Sequence, residues 1–203
     1  GYAATGNDAN LNRRIREIAI ASGIEILIKK TAVERPSTLS GFTIGNGIPC
    51  WTYEVGRFYG FQLNGETPPA EPVRSVPEAG VTALTNIMKH LGMLEGEIWR
   101  PERQVIISPE NNLRPSQGGL LISHFKGDAI GRVVPKGTLL GTVISPYNFE
   151  VLDEIRAPYD QNLIIAVTYR HPFAKVNPGN YGYIVSDMAN AEWITRAGGG
   201  RHV

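Results

Sequence analysis

The chain has 203 residues, of which 42% are hydrophobic and 19% are charged, and its formal net charge is +1 at pH 7. A chain of this length can bury a substantial core, as one large domain or as two small ones. The balanced charge, without any block of like charge, argues against nucleic acid or an anionic membrane as a partner. No apolar run reaches membrane-spanning length, and the first residues lack the basic and apolar pattern of a signal peptide.

The single cysteine, Cys50, excludes an internal disulfide and fits a reducing compartment. These features together predict a soluble, cytoplasmic globular protein. The sequence opens with GYAATGNDAN, without an initiator methionine. We therefore expect that the gene begins upstream of Gly1 and that a preceding segment was cleaved, truncated or left out.

The first 96 residues alternate helical and strand patterns. The stretch NDANLNRRIREIAIASG, residues 7–23, predicts an amphipathic helix, with Asp8 as its N-cap and Gly23 as its C-terminal stop. Apolar side chains recur at helical spacing in it: Leu11, Ile15, Ile18 and Ala19. The run IEILIKK predicts a strand, ERPSTLSG a loop leading into a helical turn, and GIPCWTYEVG a strand that begins after Pro49. This order is typical of an α/β layer with a largely parallel sheet.

A proline-rich loop, NGETPPAEPVRS, leads to a second helical pattern, VPEAGVTALTNIMKHLGML, with Pro77 in its first turn. The apolar stripe of this helix is Val81, Leu84, Ile87, Met88 and Leu91. From about residue 97 to residue 187, short apolar runs are separated by glycine, proline and asparagine, which predicts a β-rich domain. Residues 188–203 form a tail, and its last part, RAGGGRHV, lacks the apolar content to order itself.

Few side chains in the sequence suit a reaction. No histidine is spaced from another histidine or a carboxylate as a zinc motif requires, and the four are His90, His124, His171 and His202. Cys50 lies at the start of an apolar strand, which favours a buried inert thiol over a nucleophile. No nucleophile elbow occurs, and the glycines of TIGNGIP precede a strand instead of opening a helix.

Glu54 is the exception, because it places a carboxylate at the end of the apolar strand CWTYEVG. Burying an isolated carboxylate costs several kcal/mol unless it is paired, protonated or close to a metal. A structural ion pair and a catalytic base both satisfy this condition, and the residues alone leave the two interpretations open.

The run GIPCWTYEVGRFYG resembles the strand that carries the catalytic glutamate in the succinylglutamate desuccinylase/aspartoacylase family of zinc amidohydrolases. Glu54 and Gly56 match the glutamate and second glycine of its GIPA-x-T-x-E-x-G pattern. The segments AGVTALTNIMKHLGML, GGLLISHFKGDAIGRVVPKGTLLGTV and EVLDEIRAPYDQNLII are similar to the helix and the C-terminal β domain that follow in the family. The resemblance covers about residues 8–187 and implies an incomplete zinc-peptidase-like α/β layer followed by a β-rich C-terminal domain.

The chain departs from the family in its metal ligands. Family members bind one zinc through a His-x-x-Glu pair and a later histidine, and none of these is present here. By family spacing, the last of these histidines would lie shortly before Gly1. The resemblance therefore implies a zinc cofactor whose ligands come from a missing N-terminal segment or a second chain, and we expect no metal ligand in this one.

The resemblance also implies a reaction, which is the hydrolysis of an N-acyl amino acid or a similar small amide. Glu54 would act as general base and then as general acid, while Arg57 and Tyr59 are candidates for binding the substrate, and Arg35 is a weaker one. Arg57 could hold a carboxylate through two hydrogen bonds, although a surface salt bridge is the simpler interpretation. Neither the acyl group nor the amine follows from the sequence.

Two other interpretations stay open. EVLDEIRAPYDQNLII is also similar to the hairpin of a biotinyl or lipoyl carrier domain, but no lysine occupies the tip around residues 148–153, so the attachment chemistry is absent. The chain could instead be a metal-free binding or interaction subunit without catalysis. The exposed edge of an incomplete sheet predicts association with the missing segment or with another copy of the chain.

Overall fold

The computed structural model describes residues 2–31, 37–53, 76–108, 110–125, 129–167 and 173–195. The chain divides into two compact units. The first comprises Gly1–Arg57, Arg74–Pro109 and Ala191–Val203, and the second Phe58–Val73 and Glu110–Asn190. Three α-helices occur among the described residues, and most of the remaining regular structure is β-sheet, so the fold is mixed α/β.

The first unit is built on a five-stranded sheet with the order β13-β4-β2-β1-β3. Its elements are β1 (Tyr2–Thr5), α1 (Ala9–Ala21), β2 (Ile26–Thr31), α2 (Leu39–Gly45), β3 (Trp51–Thr52), α3 (Val76–His90), β4 (Arg103–Ile107) and β13 (Glu192–Thr195). The strands β1, β2 and β4 are parallel, whereas β3 and β13 pair antiparallel with β1 and β4. The predicted α/β layer is therefore present, but its sheet is mixed: the three central strands are parallel, whereas both edge strands are antiparallel.

The predicted limits of α1 are confirmed. The Asp8 side chain accepts hydrogen bonds from the backbone N–H groups of Asn10 and Leu11, at 2.8 and 3.1 Å, which caps the first turn. Gly23 follows the helix with φ of 77°, a conformation that other residues adopt only under strain. The side chains of Leu11 and Ile15 then pack against Ile44 of α2.

The first unit extends beyond the division at residue 96 that the composition predicts. The strand β4 lies in the range 97–187 but pairs in parallel with β2, because Val105 and Ile107 bury their side chains completely in this sheet. The strand β13 lies in the range 188–203 but pairs with β4, and Arg16 of α1 forms an ion pair with its Glu192.

The helix α3 packs through a narrow face that the sequence does not reveal. Its fully buried residue is Ala83, and next to it Asn86 is also buried. The Asn86 amide donates to the backbone carbonyls of Ser22 and Trp99, at 3.2 and 2.7 Å, and its side-chain oxygen accepts from the Trp99 N–H. The apolar stripe that defines the helix in the sequence lies mostly on the exposed side, with Ile87 as its partly buried member.

The second unit consists of two four-stranded antiparallel sheets, ordered β5-β12-β10-β7 and β11-β6-β8-β9. The strands are β5 (Glu110–Leu113), β6 (Gly119–Ser123), β7 (Val133–Pro135), β8 (Leu139–Ile144), β9 (Val151–Arg156), β10 (Gln161–Val167), β11 (Phe173–Val176) and β12 (Tyr183–Asp187). Buried residues of both sheets form one core, in which the Tyr183 hydroxyl contacts Ser123 and donates to the Leu140 carbonyl. The described part of the predicted β-rich region contains strands and no long helix.

Candidate active site

The pairing of β3 with β1 sets the position of the strand that precedes Glu54. Thr52 lies opposite Tyr2, and Trp51 lies opposite Ala3. Because this pair is antiparallel, the carboxyl end of β3 meets the amino end of β1. The parallel strands β2 and β4 begin at this same edge of the sheet. Any residue that immediately follows β3 therefore leaves the sheet where β1 begins.

The residues predicted to act in the site, Glu54, Arg57 and Tyr59, lie outside the described residues, as does Arg35. Their predicted roles stay predictions. Cys50 is described: it is a free, partly buried cysteine whose side chain packs against the cluster of Leu11, Ile15 and Ile44. These contacts agree with a structural role for the thiol.

Two aromatic side chains lie on β3 and directly after it. Trp51 and Tyr53 stack with ring centroids 5.5 Å apart and ring planes 9° from parallel. The indole nitrogen of Trp51 is buried, and no described residue accepts a hydrogen bond from it. Burial also raises the pKa of the Tyr53 hydroxyl above its usual value of 10.0. The described residues that precede Glu54 in the chain thus include two stacked, partly buried aromatic side chains.

A second carboxylate, which the sequence analysis did not single out, lies at the same edge of the sheet. Glu25 immediately precedes β2, and its carbonyl accepts a hydrogen bond of 2.8 Å from the Val105 N–H of β4. Burial raises the pKa of its carboxyl from 4.5 to about 7. The signal available in the sequence is a glutamate within the apolar run SGIEILI, but whether that glutamate is buried depends on strands far away in the chain.

Both of the described histidines are exposed. His90 is exposed in the last turn of α3. His124 is exposed in the second unit, where its Nε2 lies 3.0 Å from the Thr142 hydroxyl oxygen. His171 and His202 lie outside the described residues.

A zinc ion needs at least three converging side-chain ligands from this chain or another. Within the described ranges, no group of three or more histidine, cysteine, aspartate and glutamate side chains could hold a metal ion. The described residues therefore supply no complete ligand group, and the zinc cofactor stays a prediction. The helices of the described part also include none that is both long enough and apolar enough to cross a membrane.

Comparisons with known proteins place this geometry in a structural context. No protein-family model matches the sequence, and no curated protein matches it either. Solved structures do match in fold. A succinylglutamate desuccinylase from Silicibacter sp. TM1040 has a TM-score of 0.71 at 18% identity, covering 92% of this chain and 52% of its own. The apo ectoine utilization protein EutE (DoeB) from Ruegeria pomeroyi has a TM-score of 0.69 at 20% identity, covering 92% and 54%.

A third match is a succinylglutamate desuccinylase/aspartoacylase from Rhodobacter sphaeroides, with a TM-score of 0.67 at 16% identity. The chain spans about half the length of each of these solved structures. The resemblance inferred from the sequence is confirmed at the level of the fold: over 92% of its length the chain adopts the α/β fold of succinylglutamate desuccinylase/aspartoacylase family structures.

Proposed function

We propose that this chain forms part of a zinc-dependent amidohydrolase that deacylates an N-acyl amino acid or a similar small amide. Glu54 is the general base and then the general acid of this reaction. The observation that carries the proposal is the antiparallel pairing of β3 with β1, within a fold shared with succinylglutamate desuccinylase/aspartoacylase structures.

This pairing supports a site shared by two positions that the family resemblance treats as functional. The resemblance puts the last metal-binding histidine shortly before Gly1, and it puts the base at Glu54. The carboxyl end of β3 lies beside the amino end of β1, since Thr52 is opposite Tyr2. A residue that precedes β1 and a residue that follows β3 therefore emerge at the same edge of the sheet, which supports a joint site there.

The chemistry assigned to Glu54 is a pair of proton transfers. Its carboxylate removes a proton from the attacking water as the water oxygen bonds to the amide carbon. It returns that proton to the amine nitrogen as the carbon–nitrogen bond breaks. The stacked aromatic pair of Trp51 and Tyr53 precedes it in the chain. Partial desolvation of a catalytic carboxylate would favour its protonated form and so suit it to both transfers.

The metal and the substrate contacts complete the proposal. Zinc would acidify the attacking water and polarise the carbonyl when bound, and its ligands would come from an N-terminal segment or a second chain. Arg57 would bind the carboxylate of the amino acid, and Tyr59 is the second candidate for binding the substrate. The small-molecule amide is the substrate, and neither nucleic acid nor a membrane is expected as a partner.

Substitution of Glu54 tests the proposal in the protein that contains this chain together with all its associated polypeptides. We expect Glu54→Gln to lower kcat for N-acyl amino acid hydrolysis by about 1,000-fold, because general acid–base catalysis contributes about 100- to 10,000-fold. The substrate KM should change little. Release of the free amine, measured over a panel of acyl amino acids, provides the rate. Glu95→Gln, at an exposed position after α3, is the matched control and should retain full activity.

Elemental analysis and mass spectrometry of the same sample separate the two main interpretations. About one zinc per chain, together with histidines from additional polypeptide, supports the enzyme. A single 22.2 kDa species without zinc that binds acyl amino acids but does not cleave them would instead identify a binding subunit. Full activity in Glu54→Gln would refute the assignment of the base.

A further inference from the structure

An asparagine–glycine dipeptide, Asn46-Gly47, lies at the exposed C-terminal end of α2. Asn46 is the C-cap residue of the helix, and Gly47 follows it with φ of 74°. Both residues are exposed, and a Cβ at Gly47 would meet no atom within 4 Å, so water has open access to the dipeptide. A glycine in this position leaves its backbone nitrogen unobstructed for attack on the preceding side chain. The other asparagine–glycine dipeptide of the sequence, Asn64-Gly65, lies outside the described residues.

The reaction open to such a dipeptide replaces the side-chain amide by a carboxylate. The deprotonated backbone nitrogen of Gly47 bonds to Cγ of Asn46, the bond from Cγ to Nδ2 breaks, and the amide nitrogen leaves as ammonia with the proton. Water then opens the cyclic imide at either of its two carbonyl groups, which gives aspartate or isoaspartate. Water is the co-reactant, and no oxidant or reductant is needed.

The last turn of α2 holds the two reacting groups apart. The Gly47 N–H donates to the Ile44 carbonyl at 3.0 Å, and Nδ2 of Asn46 donates to the Phe42 carbonyl at 2.8 Å. Both hydrogen bonds must break before the side chain can turn towards the glycine nitrogen. The helix has seven residues and buries only Ile44, so its end opens easily. From these contacts we propose that Asn46 is a deamidation site whose rate is set by opening of the last turn of α2.

Deamidation weakens the connection between α2 and β3. The new carboxylate cannot donate to the Phe42 carbonyl, and it places a negative charge at the negative end of the helix dipole. Isoaspartate also lengthens the backbone within the turn that the bond of 2.9 Å from the Ile48 N–H to the Thr43 carbonyl closes. Ile44 packs in the same cluster as Cys50, which directly precedes β3. The modification therefore loosens the segment that fixes the start of β3.

Peptide mapping by mass spectrometry of the protein, incubated at mildly alkaline pH, tests the site. We expect deamidation of Asn46 to be about 30-fold slower in the folded protein than in urea, because two hydrogen bonds must open first. A Thr38→Ala variant removes the side-chain acceptor that caps α2 at the Gly41 N–H and should accelerate the folded reaction about fivefold, without changing the rate in urea.

Thr138→Ala is the matched control, because it removes a comparable hydrogen bond, from the Thr138 hydroxyl to the Pro135 carbonyl, in the second unit. It should leave the rate at Asn46 unchanged. Equal rates in the folded protein and in urea, deamidation that occurs only in urea, or a Thr38→Ala variant no faster than the wild type would each overturn the proposal.

Hydrogen exchange tests the structural consequence without relying on any activity. Anion exchange separates the deamidated protein, which carries one more negative charge. Its backbone amides between Ile44 and Thr52 should exchange about fivefold faster than those of the unmodified protein, because the last turn of α2 has lost a hydrogen bond. Amides in α3 should exchange at the same rate in both forms. Unchanged exchange between Ile44 and Thr52 would refute the loosening of β3.

Discussion

Replacing Gly119 by alanine is expected to destabilise the second unit by about 3 kcal/mol, because a side chain at this position overlaps the neighbouring strand. A Cβ at Gly119 would lie 2.4 Å from the carbonyl oxygen of Ile144 and 2.9 Å from Cγ1 of Val143. The nearer atom belongs to backbone that is fixed by the pairing of β6 with β8, where Leu120 lies opposite Ile144. The strand cannot retreat without losing ladder hydrogen bonds.

The neighbouring glycine provides the control. A Cβ at Gly118 would meet its nearest atom, Cδ of Pro178, at 3.4 Å, which is ordinary van der Waals contact. Both substitutions reduce the freedom of the unfolded chain equally, so the difference between them isolates the steric overlap. The three tryptophans, Trp51, Trp99 and Trp193, all belong to the first unit, so tryptophan fluorescence would not report unfolding of the second unit. Urea unfolding is therefore followed by far-UV circular dichroism, which detects the loss of the strands. Equal stability of the two variants would show that β8 can move away from β6.

The second large effect is a pH dependence of stability that depends on Glu25. The carboxyl has a pKa of about 7 in the folded protein, compared with 4.5 as its reference value. Between these pH values the folded state holds a proton that the unfolded state has released. The free energy of unfolding therefore falls as the pH rises from about 4.5 to about 7, and this group removes about 3 kcal/mol in total.

Substitution by glutamine should remove this slope. As the pH rises from 5 to 8, the free energy of unfolding of Glu25→Gln should increase by about 2–3 kcal/mol relative to that of the wild type. The reason is that the neutral amide has no charge to desolvate. Tryptophan fluorescence reports unfolding of the first unit, in which Glu25 lies. Glu95→Gln should keep the slope of the wild type. A slope that persists in Glu25→Gln would assign the titration to a different group.

The predicted catalytic residue and Glu25 differ in how far the sequence reveals them. Glu54 stands out because a short pattern around it resembles a known family, and the match in fold supports that resemblance. Glu25 is in the same unit, but its raised pKa results from burial, and its backbone is bonded to β4. The hydrogen bond from Gln104 of β4 to the Ile24 carbonyl joins residues that are 80 positions apart in the sequence. No local pattern around Glu25 therefore predicts its raised pKa.

Local sequence determined the elements whose stabilising interactions are local. The capping of α1 by Asp8, the left-handed glycine that ends it and the short strands of the second unit follow from residues a few positions apart. Tertiary structure alone decided which face of α3 is buried, because the bonds of Asn86 to Ser22 and Trp99 join distant segments. It also decided that β4 and β13 belong to the first sheet, since an apolar strand pattern is compatible with either sheet until its hydrogen-bonded neighbours are known.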